Sequence, residues 1–312
     1  MHRKFGFVFY GLSSVALISV GVLPSQAYLA SRQPSHSDAL LAQAAPGIPV
    51  QGCLTRPPQK PVDINVETRF TPGQITLDRF RKQPGPPGLS AEATRTNVSQ
   101  QALDFVAQHQ PVERVSLANP TNFGERYLYD FLGKPAYHPP IVVLHETVIS
   151  GPQTLRLFST YHPKSSQQVS YHTLIMTDGT IYYLVPPDKR AFGAGTSVFA
   201  SPNGNETVTT NPSLSSSVNN FAYHISLVSP VDGYRDGLKA HSGYTSAQYY
   251  SLAWLIAKTG VPVERITTHQ AVDRAGNRSD PRSFNREGFL KLLELYPKTN
   301  EVMIGCPSQA AG

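Results

Sequence analysis

The run Ile141-Val142-Val143-Leu144-His145-Glu146-Thr147 (IVVLHET) decides the fold class. Four apolar residues in unbroken succession give way to a titratable pair and a threonine. A strand buried on both faces reads as a continuous apolar run, not as alternation. The polar residues that end it then stand at the strand's carboxyl end, where a parallel sheet presents chemistry. Downstream, GPQTLRLFSTYH (151–162) predicts a short helix with Pro152 in its first turn. VSYHTLIMTDGTIYYLVP (169–186) holds two apolar runs joined through Asp178-Gly179, a hairpin signal. NFAYHISLVS (220–229) is a second buried strand, and TSAQYYSLAWLIAKTG (245–260) an amphipathic helix that Gly260 stops. ERITTHQ (264–270) is a short strand ending in His269, and SFNREGFLKLLELY (283–296) a closing helix. The order is that of an α/β fold, a central mixed β-sheet flanked by helices.

Upstream of Pro140 the texture differs. His2, Arg3 and Lys4 precede an apolar stretch from Phe5 to Leu23, closed by Ser25-Gln26-Ala27. Charged, apolar and small residues in that order form a secretory signal peptide over 1–27; the competing reading is an uncleaved membrane anchor. Cleavage at a site of small residues is preferred, so no stable membrane insertion is expected of the mature chain, which would be periplasmic or secreted. Residues 28–137 form a Pro-rich N-terminal extension. RPPQKPVDINVE (56–67) and RKQPGPPG (81–88) read as extended and turn-punctuated, and Ser90–His109 as a helix capped by Ser90. The core domain is set at 138–297 and a tail at 298–312. Thr196–Ser217, polar and rich in Ser and Asn, reads as a flexible insertion.

The formal charge of +6 falls to about +4 once Arg3 and Lys4 leave with the leader. No Lys/Arg block is dense enough for nucleic acid. A mildly basic exported protein suits an anionic wall polymer, although a generic basic surface explains the charge equally well. Cys53 and Cys306 are the only cysteines, and outside the cytoplasm such a pair oxidises to a bridge between the chain's two ends. The competing reading, a zinc thiolate, lacks any Cys or His partner at ligand spacing.

His145, His269 and Asp280, the last in AGNRSDPRSF (275–284), lie at or beyond the ends of buried strands. Two imidazoles and a carboxylate with an open fourth position make a catalytic zinc set. Spacing alone does not single them out among ten histidines. Four blocks in order do more: VVLHET (142–147), VSYHTLIMTDGTIYYLVPPDKRAFGAG (169–195), SAQYYSLAWLIAK (246–258) and ITTHQAVDRAGNRSDPRSF (266–284). Together they resemble the type 2 N-acetylmuramoyl-L-alanine amidases, relatives of phage amidase lysozymes and peptidoglycan recognition proteins.

The resemblance implies one Zn²⁺ per chain on His145, His269 and Asp280. It implies hydrolysis of the amide between N-acetylmuramic acid and L-alanine in peptidoglycan or muropeptides, with the protein acting as a monomer. By the same resemblance Tyr171 is catalytic, orienting the attacking water or stabilising the tetrahedral oxyanion. Arg278 occupies the place of a family lysine, and its fork cannot place charge as an ammonium does. Substrate contacts are expected from Asn219, Phe192 and His172. Two departures stand out. Ser226 replaces the glutamate base of some members, and Phe192-Gly193 replaces an aromatic-His pair. His224, inside a buried strand, reads as a satisfied core imidazole. The competing function is a non-catalytic peptidoglycan-binding module, which the complete ligand set disfavours.

Overall fold

Ile141–Glu146 forms the buried strand that its apolar run calls for, with every residue buried. Six strands make the central sheet. In chain order they are β1 (Glu113–Val115), β3 (Ile141–Glu146), β4 (Thr173–Ile175), β5 (Ile181–Tyr183), β9 (Ala222–Leu227) and β10 (Ile266–Thr268), and across the sheet they run β1-β5-β4-β9-β3-β10. β4, β9, β3 and β10 are mutually parallel, β5 runs antiparallel to β4, and β1 pairs parallel with β5. A second ladder joins β2 (Phe123–Glu125) to β6 (Lys189–Ala191), and a third joins β7 (Phe199–Ser201) to β8 (Gly204–Glu206). The computed structural model describes residues 53–58, 75–82, 87–93, 98–234 and 238–305. All of them fall in one unit, Pro49–Gly312. Among them no helix is long and apolar enough to cross a membrane.

Helices α1 (Gln100–Gln108), α2 (Gly151–Ser159), α3 (Ser246–Ala257), α4 (His269–Val272) and α5 (Arg286–Leu295) complete the fold. Two of them start at capping boxes, Ser150 with Gln153 and Thr245 with Gln248, which satisfy amide groups at the helix start. The sheet's two faces separate by residue parity. Val142 and Leu144 of β3, with Tyr223, Ile225 and Leu227 of β9, pack under α3 and α5. Ile141, Val143 and Ala222 point the other way, into a smaller core built with Phe199, Val208 and Phe221. His145 follows Ile141 and Val143 at spacing two, and therefore belongs to the face that the two long helices leave uncovered.

Several expectations need correction. The helix begins at Gln100, capped by Ser99, and not at Ser90. Ser90 instead makes a turn with Ala93 and pins itself to the end of α5. The hairpin loop has three residues, because Met176 pairs with Thr180 and Gly179 adopts φ +86°. That is the three-residue loop with a left-handed glycine, wider than the two-residue turn expected. Thr196–Ser217 is not a slack insertion: it holds the β7–β8 hairpin, and Val208 bridges Ser217. His269 opens α4 instead of ending a strand. Residues 1–27 lie outside the described residues, as does Cys306; Cys53 is disulfide-bonded.

The described parts of the extension pack into the main core. Phe80 is buried against the Tyr183 ring, at 5.2 Å between centroids, and β1 supplies an edge strand. Buried Arg81 pairs with Glu113 and Glu301, tying the extension, the sheet edge and the chain's last described residues together. Arg126 goes deeper, with no exposed surface at all. It donates to the carbonyls of Pro187, Asn219, Asn220 and Ala222 at 2.9–3.3 Å. These carbonyls lie at the entrance of β9 and beside β6, so a single guanidinium collects segments nearly a hundred residues away. Arg126→Met would strand those acceptors in the interior, at about 1–3 kcal/mol for each that finds no other donor. We expect a loss of at least about 3 kcal/mol, measured as a fall in the urea midpoint; an unchanged midpoint would assign the clamp no role in stability.

Candidate metal centre

β3 and β10 are neighbours and parallel, so their carboxyl ends open at the same edge of the sheet. His145 comes from the end of β3, and His269 follows β10 as the first residue of α4. Thr268 caps that short helix, its hydroxyl accepting from the Ala271 amide. The loop after α4 then returns to deliver Asp280. Asp273 shapes this loop by accepting from the amides of Ala275, Asn277 and Arg278. Gln270 donates to the Asp280 carbonyl and closes it.

His145 Nδ1 and His269 Nδ1 lie 3.1 Å apart. Asp280 Oδ2 lies 3.3 Å from the first and 3.1 Å from the second. Ligands at about 2.0–2.2 Å from one tetrahedral ion stand roughly 3.3 Å from one another, so the three donor atoms fit a zinc-sized ion. Burial pushes the His145 imidazole down to about 4, against the pull of Asp280, which leaves it neutral and able to donate a lone pair at neutral pH. Burial alone would raise the Asp280 carboxyl, but the two imidazoles packed against it hold it well below the usual range. The cluster thus brings two imidazole nitrogens and one carboxylate within reach of one ion.

Tyr171 stacks on His145, with ring centroids 4.4 Å apart and an interplanar angle of 28°, and its other flank meets Phe158 edge-on. Burial, reinforced by the Asp280 charge, raises its phenol above the ordinary value, so it stays a donor at neutral pH. Arg278 is exposed at the rim, where its charge acts on both His145 and Tyr171. Phe192 is half-buried beneath the Arg190 guanidinium, 5.1 Å from the ring centre. A cavity of about 790 Å³ opens alongside, lined by Gln270, Ser279, Pro281 and Arg282 among others.

Two expected substrate contacts do not reach the cleft. His172 has no exposed surface; its Nδ1 accepts the His224 amide, and its Nε2 faces the Lys189 carbonyl and Arg126. Asn219 spends both ends of its amide on the backbone of Ala194. His172 was expected from its place beside Tyr171 and Asn219 from the resemblance, but the first is sealed in the interior and the second is turned onto the Ala194 backbone.

Two further residues shape the surroundings of the cluster. His224 Nδ1 lies 2.9 Å from His145 Nε2, beside the metal cluster and not in a remote core. Glu146, directly after a ligand, accepts from the Arg282 amide, Nε and Nη2 at 2.5–3.1 Å. Ser229 and His241 also approach it at 3.0 Å. Arg282 is two residues beyond Asp280, so this buried fork welds the two ligand-bearing segments together.

With that geometry in view, residues 135–283 match the family model described as N-acetylmuramoyl-L-alanine amidase. They are an amidase-family domain. The amidase domain is also similar to solved structures. An AmpD derivative is 26% identical, with 59% of this chain and 96% of that chain covered and a TM-score of 0.42. AmpD of Citrobacter freundii is 25% identical over 59% and 90%, TM-score 0.36. E. coli AmiD, in complex with anhydro-N-acetylmuramic acid-L-Ala-D-γ-Glu-L-Lys, is 19% identical over 55% and 65%, TM-score 0.39. No curated protein matches the chain in sequence.

Removing one partner of the Glu146–Arg282 pair leaves a buried charge without its fork. Arg282→Met is expected to destabilise the amidase domain by about 3–5 kcal/mol. Chemical denaturation reads this directly, and a wild-type midpoint would show that the pair holds nothing in place.

Proposed function

We propose that this chain is an exported, monomeric, zinc-dependent N-acetylmuramoyl-L-alanine amidase. It cleaves the amide between N-acetylmuramic acid and L-alanine in peptidoglycan or its fragments. The observation that carries the reading is the convergence of His145 Nδ1, His269 Nδ1 and the Asp280 carboxylate beneath a stacked Tyr171 in an amidase-family domain. Export rests on the charged, apolar and small-residue order of residues 1–27.

The three side chains would hold the ion through two imidazole nitrogens and one carboxylate oxygen. Bound there, zinc would supply Lewis acidity, the chemistry that polarises a carbonyl and lowers the pKa of water toward about 7. Tyr171 keeps its phenolic proton and offers it to the attacking water or to oxygen charge developing on the amide. Arg278 adds positive potential from the rim without entering the ligand set. Ser226, opposite His145 in the sheet register, is fully buried and supplies no carboxylate base. Glu146 is committed to Arg282, which leaves Tyr171 as the proton-bearing group beside the cluster.

The purified protein should carry close to one zinc per chain by elemental analysis, and chelation should stop release of L-alanyl peptides from muropeptides. Protein that takes up no zinc even after its addition would overturn the assignment. His269→Ala should abolish turnover in a chain that still folds. Tyr171→Phe should lower kcat by about 10²-fold, the loss expected for one oxyanion donor. An unchanged kcat would reduce Tyr171 to a packing residue.

A further inference from the structure

We infer that His224 is a positioning residue of the metal centre: its Nδ1 is the acceptor that holds His145 in the tautomer whose Nδ1 faces Asp280 and His269. The inference rests on the zinc reading above and deepens it. An imidazole that gives Nδ1 to a metal carries its proton on Nε2, and the partner of that proton fixes the ring's tautomer and tilt. His145 Nε2 lies 2.9 Å from His224 Nδ1. Usual partners for such a proton are carboxylates, carbonyls or water. Here it is a second imidazole.

The His224 ring is held for this purpose. It sits on β9 opposite Val143 of β3, so its side chain shares a face with His145. Its amide donates to His172 Nδ1, and its carbonyl accepts from the His172 amide, both at 2.9 Å. The two imidazoles lie nearly parallel, 5.7 Å apart at 11°. On the opposite strap, Gly193 makes room: a Cβ there would lie 2.5 Å from both Cγ and Nδ1 of His224. Any other residue at 193 would require the ring or the strap to shift. The remaining nitrogen, His224 Nε2, is buried and makes no hydrogen bond. A histidine kept for core packing would pair both nitrogens. With Nδ1 accepting from His145, the His224 proton sits on Nε2, a buried N–H without an acceptor whose cost packing alone does not explain.

The test is the zinc dissociation constant, read by chelator competition on metal-stripped full chain whose fold is checked by circular dichroism. His224→Ala should weaken binding by about 10–100-fold, the range for loss of an outer-shell partner. His224→Asn returns a carbonyl oxygen close to the Nδ1 position and should recover affinity to within a few-fold of wild type. Gly193→Ala should weaken binding in the wild-type background, and add nothing to His224→Ala in the double variant. Wild-type affinity in His224→Ala, or no recovery in His224→Asn, overturns the inference while leaving the zinc centre standing. A wild-type chain that binds no zinc overturns both.

Discussion

The buried pair of Glu146 and Arg282 is the constraint on which the centre depends. A site of three polar donors must be assembled where solvent is scarce, from segments more than a hundred residues apart. Glu146 follows His145 on β3, and Arg282 follows Asp280 by two residues. Joining them through a fork of 2.5–3.1 Å contacts fixes the distance between two ligands before any ion arrives. Burying two charges is costly, and an apolar pair of the same volume would stabilise the fold as well or better. What the ion pair adds is direction. A fork with several hydrogen bonds has one docked geometry, whereas apolar packing tolerates sliding.

Behind the ligands runs a line of imidazoles, His172, His224 and His145, each within hydrogen-bond distance of the next through side chain or backbone. Arg126 closes the line at its inner end, against His172 Nε2 and four backbone carbonyls. Burial, and after it the Arg126 charge, holds His172 far below the usual imidazole range. Neutral rings suit this place, because a cation behind His145 would oppose the metal's own charge. The segment carrying Arg126 lies before β3 in the chain, yet it helps to build the floor of the site. The extension is therefore part of the scaffold wherever it is described.

Much of this was legible from residues alone. The run IVVLHET gives a buried strand ending in His145 because a strand covered on both faces has no polar positions until it ends. The helices at Gly151 and Ser246 follow from Pro152 in the first turn of one and from the apolar face of the other. The grouping of His145, His269 and Asp280 came from the order of four sequence blocks, and the structure brings those three atoms within reach of one ion. Contacts across sequence distance were not legible. His172 and Tyr171 are consecutive, yet one is sealed in the interior and the other stacks on a ligand. Asn219 has a polar side chain near the site, but Ala194 consumes it. From sequence His224 reads as a packed core imidazole, because its partner, His145, and its permissive neighbour, Gly193, are both remote in the chain.

Gly193 and Ser226 have to be considered together. Both are small residues facing the sheet side that carries His145, and each removes bulk or charge from the ligand's surroundings. At 193 the missing side chain admits an imidazole, which a Cβ would displace. At 226 a hydroxyl without a hydrogen-bond partner stands opposite His145, where a carboxylate would bring a second negative charge next to the ligand set. With Ser226 in place, Asp280 is the one carboxylate among the described residues that faces the metal position uncommitted to a cation. A zinc ion there would retain a net positive charge, which strengthens its pull on a carbonyl oxygen. On the proposed reading, proton handling would fall to a group that acts without ionising, such as the Tyr171 phenol stacked on His145.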